Sequence, residues 1–479
     1  MTFLNAYLSN QSYGLKLGLL LGLCGGGIGL LVAVAGPIIA AGAVIGLLAG
    51  LFVTSNISLS LYGVILVAAL IPFGTLPFRI GLTPTFLDLA LGAFVLVYAV
   101  QWISGRRSGL RLTPINLLIA VYVLWLLLAF ALGLRFASPT STIARQFAET
   151  LLSISLTFVL VDLLRDSQSL RRLVLVIMLA VGAQAATTLT LYALPDELAE
   201  RTLIRLARIG YPDGGVIRYI EDNPEESERA IGTWVDPNAL GGILAISAVM
   251  IAPQVFAHRP VLPQRWLTFG LLGLVSLALV LTFSRASMLA FGLGIAFIAC
   301  FRGYRRYFIL ILIGVILLLI LPQTRGYIER FAEAFTGTDL ATQMRLGEYG
   351  DALELISEFP ITGVGFTGTP RITLYTDVAS MYLIMANQIG LVGVGLFGVS
   401  IVGVFSYGWI ARRQAALQPE MESIHLGYHA AVLAALINAT ADLYFFRLDF
   451  HASITFFWIT VALALASSRL LLEPKTASH

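Results

Sequence analysis

Apolar stretches long enough to cross a bilayer, at about 20 residues each, recur along the chain at roughly 15-35, 37-54, 57-73, 84-103, 114-133, 147-164, 172-194, 238-257, 266-283, 286-301, 307-322, 380-408, 424-443 and 452-470. In lipid every backbone polar group needs an internal partner, and a helix supplies one within its own segment. The pattern therefore predicts an all-α polytopic membrane protein of about 14 transmembrane helices. Near residues 15-75 the breaks at Gly36-Pro37 and Ser55-Asn56 also fit a kinked hairpin, which leaves the count open there. The run from Leu17 to Val34 reads as a retained first helix and not a cleaved leader, since Gly14, Gly18, Gly22 and Gly26 make a stripe suited to close helix packing.

Between these stretches the chain has two sizeable polar segments, 195-237 and 323-379, which together carry eighteen of its twenty-seven acids. Residues 1-479 read as one membrane domain from which these two large loops emerge, both predicted to be extracytoplasmic. The first opens Pro195-Asp196-Glu197 and places Arg201, Arg205 and Arg208 at i, i+4, i+7, with Leu203 and Leu206 turned elsewhere, as in an interfacial amphipathic helix. In the second, Leu346, Tyr349, Leu353 and Ile356 are spaced to share one helix face, and Pro360, Gly363 and Gly365 mark a turn-rich exit.

Basic residues orient the helices, because short cytoplasmic loops retain Lys and Arg. With both termini inside, the cytoplasmic side holds sixteen basic residues, and the short outer segments hold only Arg79, Arg135, Arg145, Arg285 and Arg447. The other nine arginines fall in the two long loops, which translocate regardless of charge.

Composition narrows the class further. With 58% hydrophobic residues, a mean hydropathy of +0.87 and 12% charged residues, against roughly 25% in soluble domains, a soluble globular protein is excluded. Lys+Arg 30 against Asp+Glu 27 leaves +3 with no local basic excess, which argues against a nucleic-acid partner. Cys24 and Cys300 both lie in apolar runs and suggest neither a disulfide nor a thiolate metal site. Twenty-eight of the thirty basic residues are Arg, whose planar fork suits phosphate, although an Arg-rich genome gives the same bias.

Single positions are sharper. Arg285 sits between two apolar helices with hardly any loop, where a charge is costly without a partner. Arg229 precedes a helix start at which Asn238 is placed to cap the helix or to line a site. His425 and His429 lie i, i+4 on one face, but no third ligand accompanies them, so no metal or other cofactor is expected. Asp88 and Asp162 fall inside or at the ends of spans, too few for a proton relay.

The order of four motifs resembles that of the O-antigen polymerase and O-antigen ligase superfamily. They are Arg229 to Asn238; Ser284-Arg285-Ala286-Ser287; Arg345, Tyr349 and Pro360-Ile361-Thr362-Gly363-Val364-Gly365; and Tyr382-Leu383 through Gln388-Ile389-Gly390. The resemblance implies a glycosyltransferase of the bacterial cytoplasmic (inner) membrane, metal-independent, with its active site facing the outside. Undecaprenyl-diphosphate-linked glycans would be donor and acceptor, and the family leaves room for a chain-length regulator as partner. Outer arginines hold the diphosphate in such proteins, which maps onto Arg229, Arg285 and Arg345, with Arg371 as an additional cation.

Ligases of this superfamily read His-Asn-x-Tyr-Leu where this chain reads Ala379-Ser380-Met381-Tyr382-Leu383. The missing histidine favours a polymerase that adds repeat units to a growing polysaccharide over the alternative, a ligase handing glycan to a lipid or protein acceptor. It leaves the base to be found: Asp377 first, then Glu348, then His451. Tyr349 and Tyr382 could stack on sugar rings or simply pack. A transporter or flippase would call for charges deep in the spans and repeat symmetry, neither of which is visible.

Overall fold

The computed structural model describes residues 56–76, 83–107, 109–311, 313, 340–368 and 378–473. The chain divides into Met1–Ser60 and Leu61–His479, and the described fold lies almost wholly in the second part. The apolar stretches at 15-35 and 37-54, the glycine stripe and Cys24 lie outside the described residues, as does most of 307-322.

The helices are α1 (Ile57–Leu70), α2 (Phe86–Ile103), α3 (Pro114–Gly133), α4 (Ser141–Leu163), α5 (Ser167–Ala193), α6 (Asp196–Ile204), α7 (Pro237–Phe256), α8 (Arg265–Leu281), α9 (Arg285–Ala299), α10 (Leu340–Glu358), α11 (Met381–Ala416), α12 (Glu422–Asn438) and α13 (His451–Leu472). The protein is an all-α polytopic membrane protein. Among the described residues seven helices are long and apolar enough to cross a membrane, or eight if α9 and the segment Arg302–Ile311, bent by 119°, count as one. Starts follow local chemistry: Thr85 and Asp88 form a capping box on α2, Asp166 caps α5, and Pro114 and Pro237 sit in first turns where no N–H is needed.

Burial separates centre from periphery. The apolar windows of α7 and α13 are 94% buried, those of α2 and α3 only 22% and 28%. Exposed Leu96, Leu117, Leu124 and Val402 give the outer helices an apolar flank, as lipid requires. α13 packs on α4, α11 and α12, while α12 packs on α7 and α9. Ser153 and Thr455 hydroxyls, 2.8 Å apart, join α4 to α13.

α11 is broken at Gly390 (φ 68°, ψ 174°), and the exit from α10 mends the break. Val364 N donates to Asn387 O (2.8 Å), Gly365 N to Gln388 O (2.9 Å) and Leu391 N to Pro360 O (2.8 Å). Trp125 Nε1 on α3 reaches Ile389 O at 2.8 Å. Backbone groups freed in a broken span are thus satisfied by protein, which lipid could not do. Gly363 and Gly365 turn the exit with φ of 64° and 78°, as their spacing predicts.

The two ends of the bundle differ. At one, Arg171 donates to Arg259 O and Pro260 O, Arg469 to Leu164 O, and Asp162 takes Arg107 and Arg165. Asp162 is a structural ion-pair hub there. Asp88 is likewise occupied at its cap, and Arg145 bridges it to Glu149. The other end carries the starts of α7, α9, α11 and α13 and the end of α12.

Two expectations about the polar segments need correction. The arginine-bearing helix does not continue through Arg208: α6 stops at Ile204 and tightens into a 3-10 turn over Arg205–Ile209, because Leu203 is drawn into a cluster with Val216 and Ile231. On α10 the buried positions are Ala352 and Leu355, while Leu346 and Leu353 are each 59% exposed. The four residues lie at one-face spacing on the helix, but that face is only partly covered: Tyr349 reaches Ala379 while the leucines stay exposed.

Candidate active site

The end of the bundle opposite Asp162 and Arg171 gathers several of the expected residues. A two-stranded hairpin pairs Arg218–Tyr219 with Glu228–Arg229, placing Arg218 opposite Arg229. Ala230 N then donates to Leu281 O at 2.8 Å, pinning the strand to the end of α8. Arg229 Nε donates to Thr282 O (2.9 Å) and Nη2 to Asn238 Oδ1 (2.6 Å). Both acceptors are neutral, so these bonds orient the guanidinium without cancelling its charge. Burial loosens its hold on the proton, opposed by the fields of Asp236, Tyr444 and Asp442.

The chain around Arg229 is strained. Val235 has φ 62° and Phe283 φ 53°, in the region that costs a non-glycine residue about 1–3 kcal/mol. Val235 is held between Trp234, fully buried with Nε1 bonded to Ala69 O at 3.0 Å, and Asp236. Asp236 caps α7, its Oδ1 accepting from Asn238 N and Ala239 N at 2.8 Å. Asn238 is therefore not the cap; its side chain serves Arg229 instead. Phe283 turns the chain between α8 and α9, so that Arg285 begins α9 one residue after Ser284 and three after the carbonyl that Arg229 holds.

The end of α12 completes the cluster. Asn438 Nδ2 donates to Ser287 Oγ and to Asp442 Oδ2, both at 3.0 Å, and Ser284 and Ser287 hydroxyls lie 2.8 Å apart. Met381 N donates to Asp442 O at 2.9 Å, which fixes Asp442 beside the 379–383 segment. Tyr444 bonds to Asn238 and Asp236, and burial raises its hydroxyl well above the ordinary range. Asp442 is 4% exposed; burial pushes its carboxyl up to about 7, with Arg345 and Arg229 pulling it down and Asp236 pushing it up. Two arginines from different segments therefore act on one buried acid.

α10 supplies the remaining wall. Glu348 Oε2 accepts from Ala379 N at 3.0 Å, and Tyr349 Oη donates to Ala379 O at 3.2 Å. Burial raises the Tyr349 hydroxyl, and Arg345 and Asp442 are among its electrostatic neighbours. Tyr382 packs, its hydroxyl donating to Leu436 O at 2.8 Å. His451 is buried on α13 with Nε2 on Pro72 O and Nδ1 toward Glu149. Arg371 and Asp377 lie outside the described residues.

Asp442 and Tyr444 are the residues that sequence reading passed over. Asp442 stands at the end of an apolar run taken to extend to 443, whereas α12 stops at Asn438. An acid at a helix C-terminus opposes the macrodipole, and that mismatch was the available signal.

Residues 269–398 match the O-antigen ligase family (Wzy_C). The match bears out the resemblance to the O-antigen polymerase and ligase superfamily and supports membrane glycan transfer of that general type. It takes in Arg285, Arg345, Glu348, Tyr349 and Tyr382, but not Arg229, Asn238, Asp442 or Tyr444. No curated protein matches the chain.

Proposed function

We propose that the protein is a glycan polymerase that transfers an undecaprenyl-diphosphate-linked oligosaccharide onto the end of another lipid-linked chain. The observation that carries this reading is the shared electrostatic contact of Arg229 and Arg345 with buried Asp442, beside the turn that bears Arg285. The site faces the outside of the cytoplasmic membrane, in keeping with the excess of basic residues in the short loops at the opposite end.

In the proposed step the acceptor hydroxyl gives its proton to the Asp442 carboxylate and its oxygen forms a bond to the anomeric carbon of the donor. The bond from that carbon to the diphosphate oxygen breaks, its electron pair leaving with the diphosphate, and displacement on one face inverts the centre. Arg285, Arg345, Arg229 and Arg371 bind the diphosphate, and fixed guanidinium charge stabilises the departing group in the role a metal fills elsewhere. A carboxyl near 7 has a proton affinity matched to neutral pH, which suits a general base. Glu348 positions the Ala379 backbone, and Tyr349 offers one face of α10 to the sugar. Asp442 thus takes the role first sought at Asp377 and Glu348.

Deleting the gene in its native host and sizing the glycan tests the reading. A polymerase leaves single repeat units on the lipid carrier. Long unattached chains would instead mark transfer to a lipid or protein acceptor.

A further inference from the structure

A cavity of about 310 Å³ opens at the arginine-rich end of the bundle, remote from the cluster around Asp442. Ligand pockets begin at roughly this size. α9 contributes Phe297 and the turn after it Phe301, α11 contributes Phe405 and Trp409, and α12 contributes His425 and His429. Both imidazoles are already engaged: His425 Nε2 with Gly408 O at 3.1 Å, His429 Nδ1 with His425 O at 2.7 Å. Gly408 opens the space, since a Cβ there would fall 2.0 Å from His429 Nε2.

The mouth is charged and the flanks are apolar. Arg412 lies 3.5 Å over the Trp409 ring and donates to Trp409 O, and Arg413 beside it is exposed. Glu422 is the carboxylate of the lining and has His258 as an electrostatic neighbour. Outside the cavity Leu293, Val402 and Ile410 are 45%, 64% and 63% exposed, so the entrance lies on a surface suited to hydrocarbon. An aromatic interior with two guanidinium groups at its rim complements an apolar chain that ends in an anion.

We propose that this cavity holds an acyl chain of one anionic phospholipid from the surrounding leaflet, its phosphate seated at Arg412 and Arg413. An arginine near an anionic headgroup contributes about 1 kcal/mol, or roughly fivefold in affinity. The site is independent of the glycan-transfer reading.

The test uses the full-length protein in detergent, offered phosphatidylglycerol and phosphatidylcholine in equal amounts, with retained lipid counted by native mass spectrometry. The wild type is expected to keep one phosphatidylglycerol in preference to phosphatidylcholine. Arg412→Gln with Arg413→Gln should abolish the preference, and Ala416→Trp, which fills the lining, should remove retention of both lipids. Arg413→Gln alone, at an exposed position, should lower the preference about fivefold and serves if the double variant does not accumulate. Equal retention of the two lipids by the wild type, or an undiminished preference in the arginine variants, would overturn the proposal.

Discussion

Glu348 accepts the backbone N–H of Ala379 at 3.0 Å, while its neighbour Tyr349 donates to the same residue's carbonyl at 3.2 Å. Both polar groups of the residue that stands where ligases carry histidine are held by one helix. A carboxylate so engaged positions backbone and is poorly placed to take a proton. Glu348→Ala should therefore lower the rate of chain extension by roughly tenfold or more, the cost of losing a hydrogen bond to a charged group, without moving its pH dependence. Tyr349→Phe should cost about 1 kcal/mol, near fivefold. Initial rates across pH check both; a shifted profile in Glu348→Ala would return Glu348 to candidacy as the base.

In the proposed step Asp442 sets the pH dependence. Its carboxyl is pushed up to about 7 by burial, and a base works deprotonated, so activity should rise as pH increases through about 7 and plateau above it. Asp442→Asn should abolish extension. Because a raised carboxyl pKa means that ionisation costs folded-state stability, lost progressively from the unfolded pKa up to the folded one, Asp442→Asn should be at least as stable as wild type at pH 8. Glu228, also pushed up to about 7 by burial and by Asp196, titrates in the same range. Glu228→Gln should retain the activity limb.

The diphosphate reading predicts asymmetry between charge and shape. Arg285→Ala and Arg345→Ala should each abolish extension while the protein still reaches the membrane. Lysine at either position should rescue poorly, since an ammonium cannot make the bidentate contact. Membrane abundance and glycan length together check this; full activity in both alanine variants contradicts it.

The mended break in α11 makes Gly390 a structural point. Its φ and ψ belong to a region essentially reserved for glycine, and a Cβ would fall 2.1 Å from Ile361 O. Gly390→Ala should destabilise the protein by more than about 2 kcal/mol and reduce its accumulation in the membrane, read by detergent thermal melts.

The helices were legible because lipid imposes one rule on every span, and runs such as 114-133 obey it residue for residue as Pro114–Gly133. The glycines of the α10 exit were legible as turns, but their partner was not: that Pro360 and Val364 bond into a break at Gly390 depends on two segments meeting in space. The α10 spacing was legible, but which of its residues are covered was not: Ala352 and Leu355 are buried while Leu346 and Leu353 stay exposed, a choice made by neighbours distant in sequence. Arg229 and Asn238 were picked from local order, but the bond between them was not foreseen, and the cap lay two residues away at Asp236. Asp442 stayed hidden because its neighbours, Arg229, Arg345 and Met381, are distant in sequence.

The central claim is that arginines and Asp442 at one end of the bundle transfer a diphosphate-linked glycan. Purified protein, a synthetic undecaprenyl-diphosphate repeat unit and product sizing test it most directly. The account predicts a ladder of extended chains from the wild type and unextended substrate from Arg345→Ala and Asp442→Asn. A ladder from both variants, equal to that of the wild type, would contradict it.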